Sequence, residues 1–275
     1  MLGRVKTSAR DLIARNRYSP LVRSLRDLSA FVESAWLNEG SSFDVNGERL
    51  IVKRLAAAEF RTAFDVGANF GDWSLAALSY WPNCEVHAFE VAPRTFDLLR
   101  PKLSISDYAG RVSLNCAGLS DADGVREMFY YPEHPDLTSN VHRHGSHTVV
   151  PFQANLMRGD SYCRQRSIEK IDFLKIDVEG AEHLVLKGMG GYLSEGRVSC
   201  VQFEYGAFSI QTRVLLADYY SMLEKNYWIG KIFPSGVEFA DYDWRMEDFR
   251  FANYCCVSKD RDDLRQLLAV NRRPV

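Results

Sequence analysis

Carboxylate side chains follow several apolar runs of this sequence, and glycines come directly after the first of them. Asp65 begins a D-x-G-x-N-x-G pattern in which Gly67, Asn69 and Gly71 follow, and Glu90 ends the next apolar run. The glycines allow a tight turn and a close approach of a ligand to the main chain. Open α/β sheets bind nucleotide-type cofactors with a strand, a glycine turn and a helix N-terminus in this order.

The same residues narrow the kind of cofactor. A dinucleotide site would carry G-x-G-x-x-G, and the first Gly-x-Gly pair is missing here. Asp65 would repel a pyrophosphate, whereas it suits a cationic ammonium group. Glu90 is placed to accept hydrogen bonds from both hydroxyls of a ribose. A ligand with an amino-acid end, a ribose and no phosphate is S-adenosylmethionine, so the pattern predicts this cofactor, bound by Asp65, Gly67, Asn69, Gly71 and Glu90.

A second set of ionisable residues lies in and after the most apolar run, Ile171–Glu179. Lys175, Asp177 and Glu179 alternate and so share one side of a strand, and Glu204 follows the next apolar run. A hydroxyl acceptor needs a base, for which the three carboxylates are candidates, while Lys175 is expected to pair with one of them. Two adjacent carboxylates would raise the pKa of one of them or bind a divalent metal with histidine. No ligand spacing indicates a metal, and none is predicted.

Residues 132–147 contain two prolines and four histidines with little periodicity, which predicts a long loop. Histidine is well suited to act as a base near neutral pH. His144 or His147 is expected to reach over the acceptor if this loop folds across the site, and His147 is counted among the catalytic candidates.

Composition limits the classes of partner and compartment. The chain has 275 residues and a formal net charge of −2, which gives no reason to expect a nucleic-acid partner. No apolar run reaches the length of about 18 residues that a transmembrane helix needs. The six cysteines form no C-x-x-C pair and read as reduced core residues. No secretory signal is seen, and a cytoplasmic protein is predicted.

Residues 1–42 are predicted to form an N-terminal helical extension. Ser19 and Pro20 favour a helix start, and apolar residues recur at three- and four-residue spacing from Leu21 to Trp36. We expect an arm packed on the main domain. A homodimer contact, or contact of the basic face with an anionic membrane surface, remains an alternative.

Residues 43–275 are predicted to form one α/β domain, because strand and helix patterns alternate from Phe43 onward. Its motifs resemble those of the FkbM-type methyltransferases. The resemblance rests on Asp65–Gly71, on Phe89-Glu90, on Leu119-Ser120-Asp121 with Gly124, and most specifically on the run Phe173–Glu182. Val91 departs from the family pattern, which usually has proline directly after the acid.

The resemblance implies a class I methyltransferase fold: a Rossmann-like, seven-stranded, mostly parallel sheet with helices on both faces. It also implies a final antiparallel pair, Trp228–Phe233 and Phe251–Ser258, and adds Asp121 to the cofactor-binding residues. The implied reaction is S-adenosylmethionine-dependent O-methylation of a small-molecule or glycan hydroxyl acceptor. A nicotinamide-dependent oxidoreductase and a non-catalytic binding module of the same fold are the alternatives.

Overall fold

The computed structural model describes residues 2–104, 108–140, 142 and 148–270, with the backbone alone at 2–8 and 109. The chain divides into two compact units, residues 1–40 and 41–275. The first consists of helices α1 (Leu2–Arg15) and α2 (Pro20–Trp36). The hydroxyl of Ser19 caps α2 by accepting a hydrogen bond from the amide of Val22 at 3.3 Å. Dimer and membrane contacts of this unit stay predictions.

The second unit alternates strands and helices along most of its length. Its strands are β1 (Thr62–Val66), β2 (Glu85–Phe89), β3 (Val112–Asn115), β4 (Gly118–Ser120), β5 (Gly124–Tyr130), β6 (Val150–Arg158), β7 (Ile171–Ile176), β8 (Val198–Tyr205), β9 (Tyr227–Phe233), β10 (Gly236–Phe239) and β11 (Ala252–Ser258). Its helices are α3 (Glu48–Arg54), α4 (Asp72–Tyr80), α5 (Pro93–Ser104), α6 (Gly159–Gln165), α7 (Glu182–Gly188), α8 (Gly190–Ser194), α9 (Phe208–Thr212), α10 (Leu216–Leu223) and α11 (Asp262–Leu268). Across the described parts of the chain, no helix combines the length and the apolar character that crossing a bilayer requires.

The main sheet has the order β10-β9-β11-β8-β7-β1-β2-β3. Strands β3, β2, β1, β7 and β8 are parallel neighbours, and β11 is antiparallel to both β8 and β9. The predicted α/β class and mostly parallel sheet are confirmed, but the predicted count of seven strands is wrong by one. The eighth strand, β10, pairs with β9 across a tight turn at Pro234 and Ser235.

A second sheet, β4-β6-β5, stands apart from the main one. The segment from Gly118 to Gly124 looks like a turn-rich loop in sequence, yet its first three residues form β4. This short strand exists because it pairs in parallel with the end of β6, where Gly118 lies opposite Leu156. Strand β5 pairs antiparallel with the same β6. The loop is therefore only the three residues between β4 and β5.

Two apolar clusters cover the two faces of the main sheet. Alternate residues of β1 divide between them, because Phe64 and Val66 pack in one cluster and Ala63 packs in the other. Helices α6, α7, α8 and α10 supply the first cluster, whereas α3, α4, α5 and α11 supply the second. Since β1, β2, β7 and β8 run in one direction, the segments that follow them meet at one edge of the sheet.

Candidate functional site

A cavity of about 290 Å³ opens at this edge of the sheet. Its walls come from the turn after β1, the segment after β2, the loop after β7, the end of β8 and the first residue of α3. Six of the residues predicted from sequence line it: Gly67, Asn69, Glu90, Asp177, Glu179 and Glu204. The cavity thus brings together most of the predicted cofactor-binding and catalytic residues.

The glycine turn after β1 is shaped by a close crossing with the loop after β7. Gly67 has a φ of +83°, and a Cβ there would lie 1.7 Å from the carbonyl oxygen of Asp177. Its amide and that of Ala68 both donate to the carbonyl of Phe89, each at 2.9 Å. Gly71, with a φ of +80°, is the N-cap of α4, and a Cβ there would lie 2.6 Å from Cδ1 of Leu99. The turn therefore requires glycine at both positions.

Glu90 follows β2 and closes the turn from the side. Its carboxylate accepts hydrogen bonds from the backbone amides of Asn69 (2.9 Å) and Ala92 (2.8 Å), and the residue is only 5% exposed. Burial raises the pKa of Glu90 to about 7, although the two amides oppose the rise. The side-chain oxygen of Asn69 is buried, and it meets no hydrogen-bond donor among the described residues.

Asp65 and Lys175 form a buried ion pair beneath the cavity. The two residues lie opposite each other in the β1–β7 register, and Nζ of Lys175 contacts Oδ1 of Asp65 and Oδ2 of Asp177, both at 3.3 Å. The hydroxyl of Ser74 also donates to Asp65 at 2.7 Å. Burial acts to lower the pKa of Lys175, but the neighbouring carboxylates outweigh it and raise that pKa. Neither Asp65 nor Lys175 lines the cavity.

The carboxylates of Asp177, Glu179 and Glu204 each offer an oxygen within 4.8 Å of the others. We call this group the acidic cluster. Glu179 has a left-handed φ of +58°, and it lines the cavity. Burial and the charges of Asp177 and Glu179 raise the pKa of Glu204 well above its ordinary value.

The loop that carries two members of the acidic cluster is fixed by Glu182, the first residue of α7. One oxygen of this buried carboxylate accepts hydrogen bonds from the backbone amides of Val178 (3.0 Å) and Gly180 (3.1 Å). Burial raises the pKa of Glu182 to about 7. Glu182 thus positions the loop without lining the cavity.

Glu48 lines the cavity, and the reasoning from sequence missed it. It accepts hydrogen bonds from the side-chain amides of Asn46 (2.6 Å), Gln202 (2.5 Å) and Asn253 (3.2 Å). Burial raises the pKa of Glu48, although Lys175 opposes the rise. The local sequence marks Glu48 only through Gly47 directly before it. In the structure Gly47 has a φ of +106° and is the N-cap of α3.

The remaining predicted residues lie elsewhere. Asp121 stands behind the wall of the cavity, where Ser120 (3.1 Å) and Arg126 (3.0 Å) donate to its Oδ1; those two side chains line the cavity instead. His147, like His144, lies outside the described residues. Other residues of the same loop, Thr138 and Asn140 among them, line the cavity.

The strand order, with a glycine turn after β1 and a carboxylate after β2, defines a class I methyltransferase fold. A family model described as "Methyltransferase FkbM domain" matches residues 65–228. The chain belongs to the FkbM methyltransferase family, as the sequence motifs predicted.

Two named relatives and one solved structure are similar to this chain. The 31-O-demethyl-FK506 methyltransferase FkbM of Streptomyces tacrolimicus is 36% identical over 153 residues, which cover 46% of this chain and 58% of that protein. The chain therefore spans less than two thirds of that relative. The hexuronic acid methyltransferase AglP of Haloferax volcanii is 30% identical over 178 residues, or 64% of this chain and 70% of AglP. A crystal structure of Methyltransferase FkbM from Methylobacillus flagellatus KT matches 72% of this chain and 44% of that one, at 15% identity and a TM-score of 0.46.

Proposed function

We propose that this protein is an S-adenosylmethionine-dependent O-methyltransferase that acts on a hydroxyl of a glycan or of a natural product. The carrying observation is that one cavity joins the glycine turn and Glu90 to the acidic cluster. The first pair of features suits the cofactor, and the cluster suits an acceptor that must lose a proton. The names of the two relatives, which refer to an O-demethyl natural product and to a hexuronic acid, support this acceptor class.

The residues of the turn fit S-adenosylmethionine. The side-chain oxygen of Asn69 lacks a donor among the described residues, which suits the ammonium group of the cofactor. Glu90 keeps lone pairs beyond the two backbone bonds, and these accept the ribose hydroxyls. Gly67 keeps the turn free of a Cβ. We assign Asp65 and Gly71 a supporting role, since both lie behind the cavity wall.

When bound, the cofactor supplies an electrophilic methyl group on a sulfonium, so transfer is an in-line displacement. The chain has to align the acceptor, exclude water and remove a proton. The apolar lining from Phe89, Leu119 and Leu156 keeps water away from the reacting atoms. Asp177, Glu179 and Glu204 form the only acidic cluster of its kind in the described part of the chain, and we assign the proton removal to it.

Lys175, predicted as catalytic, and Asp121, predicted as cofactor-binding, take different roles in this proposal. Lys175 is bound on both sides by carboxylates, so it positions Asp177 and holds its charge in place. Asp121 orients Arg126, which lines the cavity. A base from residues 143–147 stays a prediction, because those residues lie outside the described ranges.

Calorimetric titration with S-adenosylhomocysteine and, separately, with NAD tests the proposal. We expect binding of S-adenosylhomocysteine in preference to NAD, and a loss of affinity in Glu90→Gln. The matched control is Glu85→Gln, because Glu85 lies at the opposite, exposed end of β2. Preference for NAD would contradict the proposal and favour an oxidoreductase. Cofactor binding with no methyl transfer to hexuronic acid glycosides or natural-product alcohols would favour a binding module.

A further inference from the structure

The acidic cluster draws its carboxylates from two strand ends and the loop between them. Asp177 directly follows β7, Glu179 comes two residues later, and Glu204 is the penultimate residue of β8. Their oxygens lie within 4.8 Å of one another at the edge where the acceptor is expected. Three carboxylates this close repel one another strongly when all are ionised, unless a positive charge joins them.

Glu204 has no such positive charge within the described chain. It is 9% exposed, and no hydrogen-bond donor or cationic group of the described residues contacts its carboxylate. Lys175 reaches the cluster only through Oδ2 of Asp177, and it is shared with Asp65. Because Glu204 lines the cavity, its carboxylate can meet a cation that comes from solution, and such a cation would lower the cost of ionising it there.

The spacing of the cluster matches a hard divalent cation. Ligand oxygens at about 2.1 Å from an octahedral ion lie roughly 3.0 to 4.2 Å apart, and those at about 2.4 Å lie roughly 3.4 to 4.8 Å apart. Oxygens within 4.8 Å of one another do not exceed the upper limit of the second range, and small side-chain movements bring them within the first. An all-carboxylate set with water to complete the shell selects Mg²⁺, Mn²⁺ or Ca²⁺ over softer metals.

We propose that Asp177, Glu179 and Glu204 bind one divalent cation of the Mg²⁺, Mn²⁺ or Ca²⁺ type at the acceptor end of the cavity. The cation balances the negative charge of ionised Glu204, and its remaining coordination positions are open to water or to an acceptor hydroxyl. A hydroxyl bound there passes its proton more easily to a carboxylate oxygen of the acidic cluster that does not ligate the cation, because the cation stabilises the alkoxide that remains. This use of the cation rests on the proposed methyl transfer, whereas the binding of the cation does not.

Titration of chelator-treated protein with Mn²⁺, followed by electron paramagnetic resonance and calorimetry, tests the site without any turnover. We expect one bound Mn²⁺ per chain, displaced by Mg²⁺ or Ca²⁺. Glu204→Gln and Asp177→Asn should each weaken Mn²⁺ binding by about tenfold or more, since each removes a charged ligand. Asp136→Asn, an acid that lines the same cavity outside the cluster, should bind Mn²⁺ as the wild type does.

Absence of Mn²⁺ binding at millimolar concentration would overturn the proposal, as would binding that both cluster variants retain. Binding of S-adenosylhomocysteine by Glu204→Gln shows that this variant is folded, so its loss of Mn²⁺ then supports the site. The same two titrations separate the two proposals. If the protein binds Mn²⁺ but not S-adenosylhomocysteine, the cation site is supported and the methyltransferase proposal is refuted. If it binds S-adenosylhomocysteine but not Mn²⁺, the methyltransferase proposal is supported and the cation site is refuted.

Discussion

We expect the affinity of this protein for S-adenosylhomocysteine to depend on pH through Glu90. Its carboxylate is almost fully buried, and burial raises its pKa to about 7. The ribose hydroxyls are donors, so they favour the ionised carboxylate over the protonated one. Binding therefore lowers the pKa of Glu90 and releases a proton wherever the free protein is protonated, and affinity must rise with pH through this range.

The size of the effect follows from the position of that pKa. With a value of about 7, the ionised fraction of Glu90 rises from about a tenth at pH 6 to about nine tenths at pH 8, so Kd falls by about tenfold. Glu90→Gln removes the negative charge. It also places the side-chain NH₂ group of glutamine, a donor, against the backbone N–H of Asn69 or Ala92, which is a donor too. Loss of charged hydrogen bonds of about 1.5–3 kcal/mol weakens binding roughly 10- to 150-fold at pH 8.

Calorimetry at pH 6, 7 and 8 in two buffers of different ionisation enthalpy measures both Kd and the protons released. We expect the pH slope in the wild type and in Glu85→Gln, and its disappearance in Glu90→Gln. A wild-type Kd that is constant from pH 6 to pH 8, or a slope that Glu90→Gln retains, would refute the role of Glu90. Thermal unfolding of each variant at the same pH values shows that the protein is folded during the titrations.

Three further substitutions test how the site is supported, each measured by urea unfolding. Gly67→Ala should cost roughly 2–6 kcal/mol through its positive φ and its clash with a backbone carbonyl, whereas Gly190→Ala, in open space, should be neutral or gain up to about 1 kcal/mol. Lys175→Met should cost about 3–5 kcal/mol by leaving the carboxylate of Asp65 buried without its cation, and adding Asp65→Asn should recover most of that loss. The pKa of Glu182 is about 7 in the folded chain and 4.5 in the unfolded chain. Between pH 4.5 and about 7 the folded chain therefore holds an extra proton, and the free energy of unfolding decreases as pH rises through this range. Glu182→Gln keeps an oxygen that can accept both backbone amide hydrogen bonds, so it should remove this pH dependence, which amounts to up to about 3 kcal/mol in the free energy of unfolding across the window. An unchanged pH dependence in this variant would contradict the assignment.

Local sequence signals predict those helices and strands whose first and last residues are set by neighbouring glycine, proline or capping residues. The bounds of helix α4, Asp72–Tyr80, are readable from local residues, because Gly71 supplies the left-handed residue before it and Trp81-Pro82 ends it. Strand β10 was not expected. Its four residues become a strand only by pairing with β9, and such tertiary pairing leaves no periodic pattern in so short a segment.

The same distinction holds within the site. Glu90 was found because a carboxylate directly after an apolar strand lies at the carboxyl edge of a parallel sheet. Glu48 was missed because its donors come from three separate segments, of which β8 and β11 lie about 150 and 200 residues away. The pairing of Asp65 with Lys175 depends on the register of β1 against β7, which the sequence of either strand alone does not specify.

The carboxylates around the cavity differ in which groups stabilise their negative charge. This difference separates carboxylates that hold the structure of the site from one that is available to a ligand. Asp65 has Lys175 and a hydroxyl, and Glu48 has three amide groups. Each of these is satisfied before any ligand binds, so each shapes the cavity in the free protein. Glu204 is also buried, at 9% exposure, but the described chain provides it with no donor and no cation. A fold that satisfies its other buried acids so fully leaves this one for a ligand, and for that reason we place the proton-removing step, and the cation that assists it, beside Glu204.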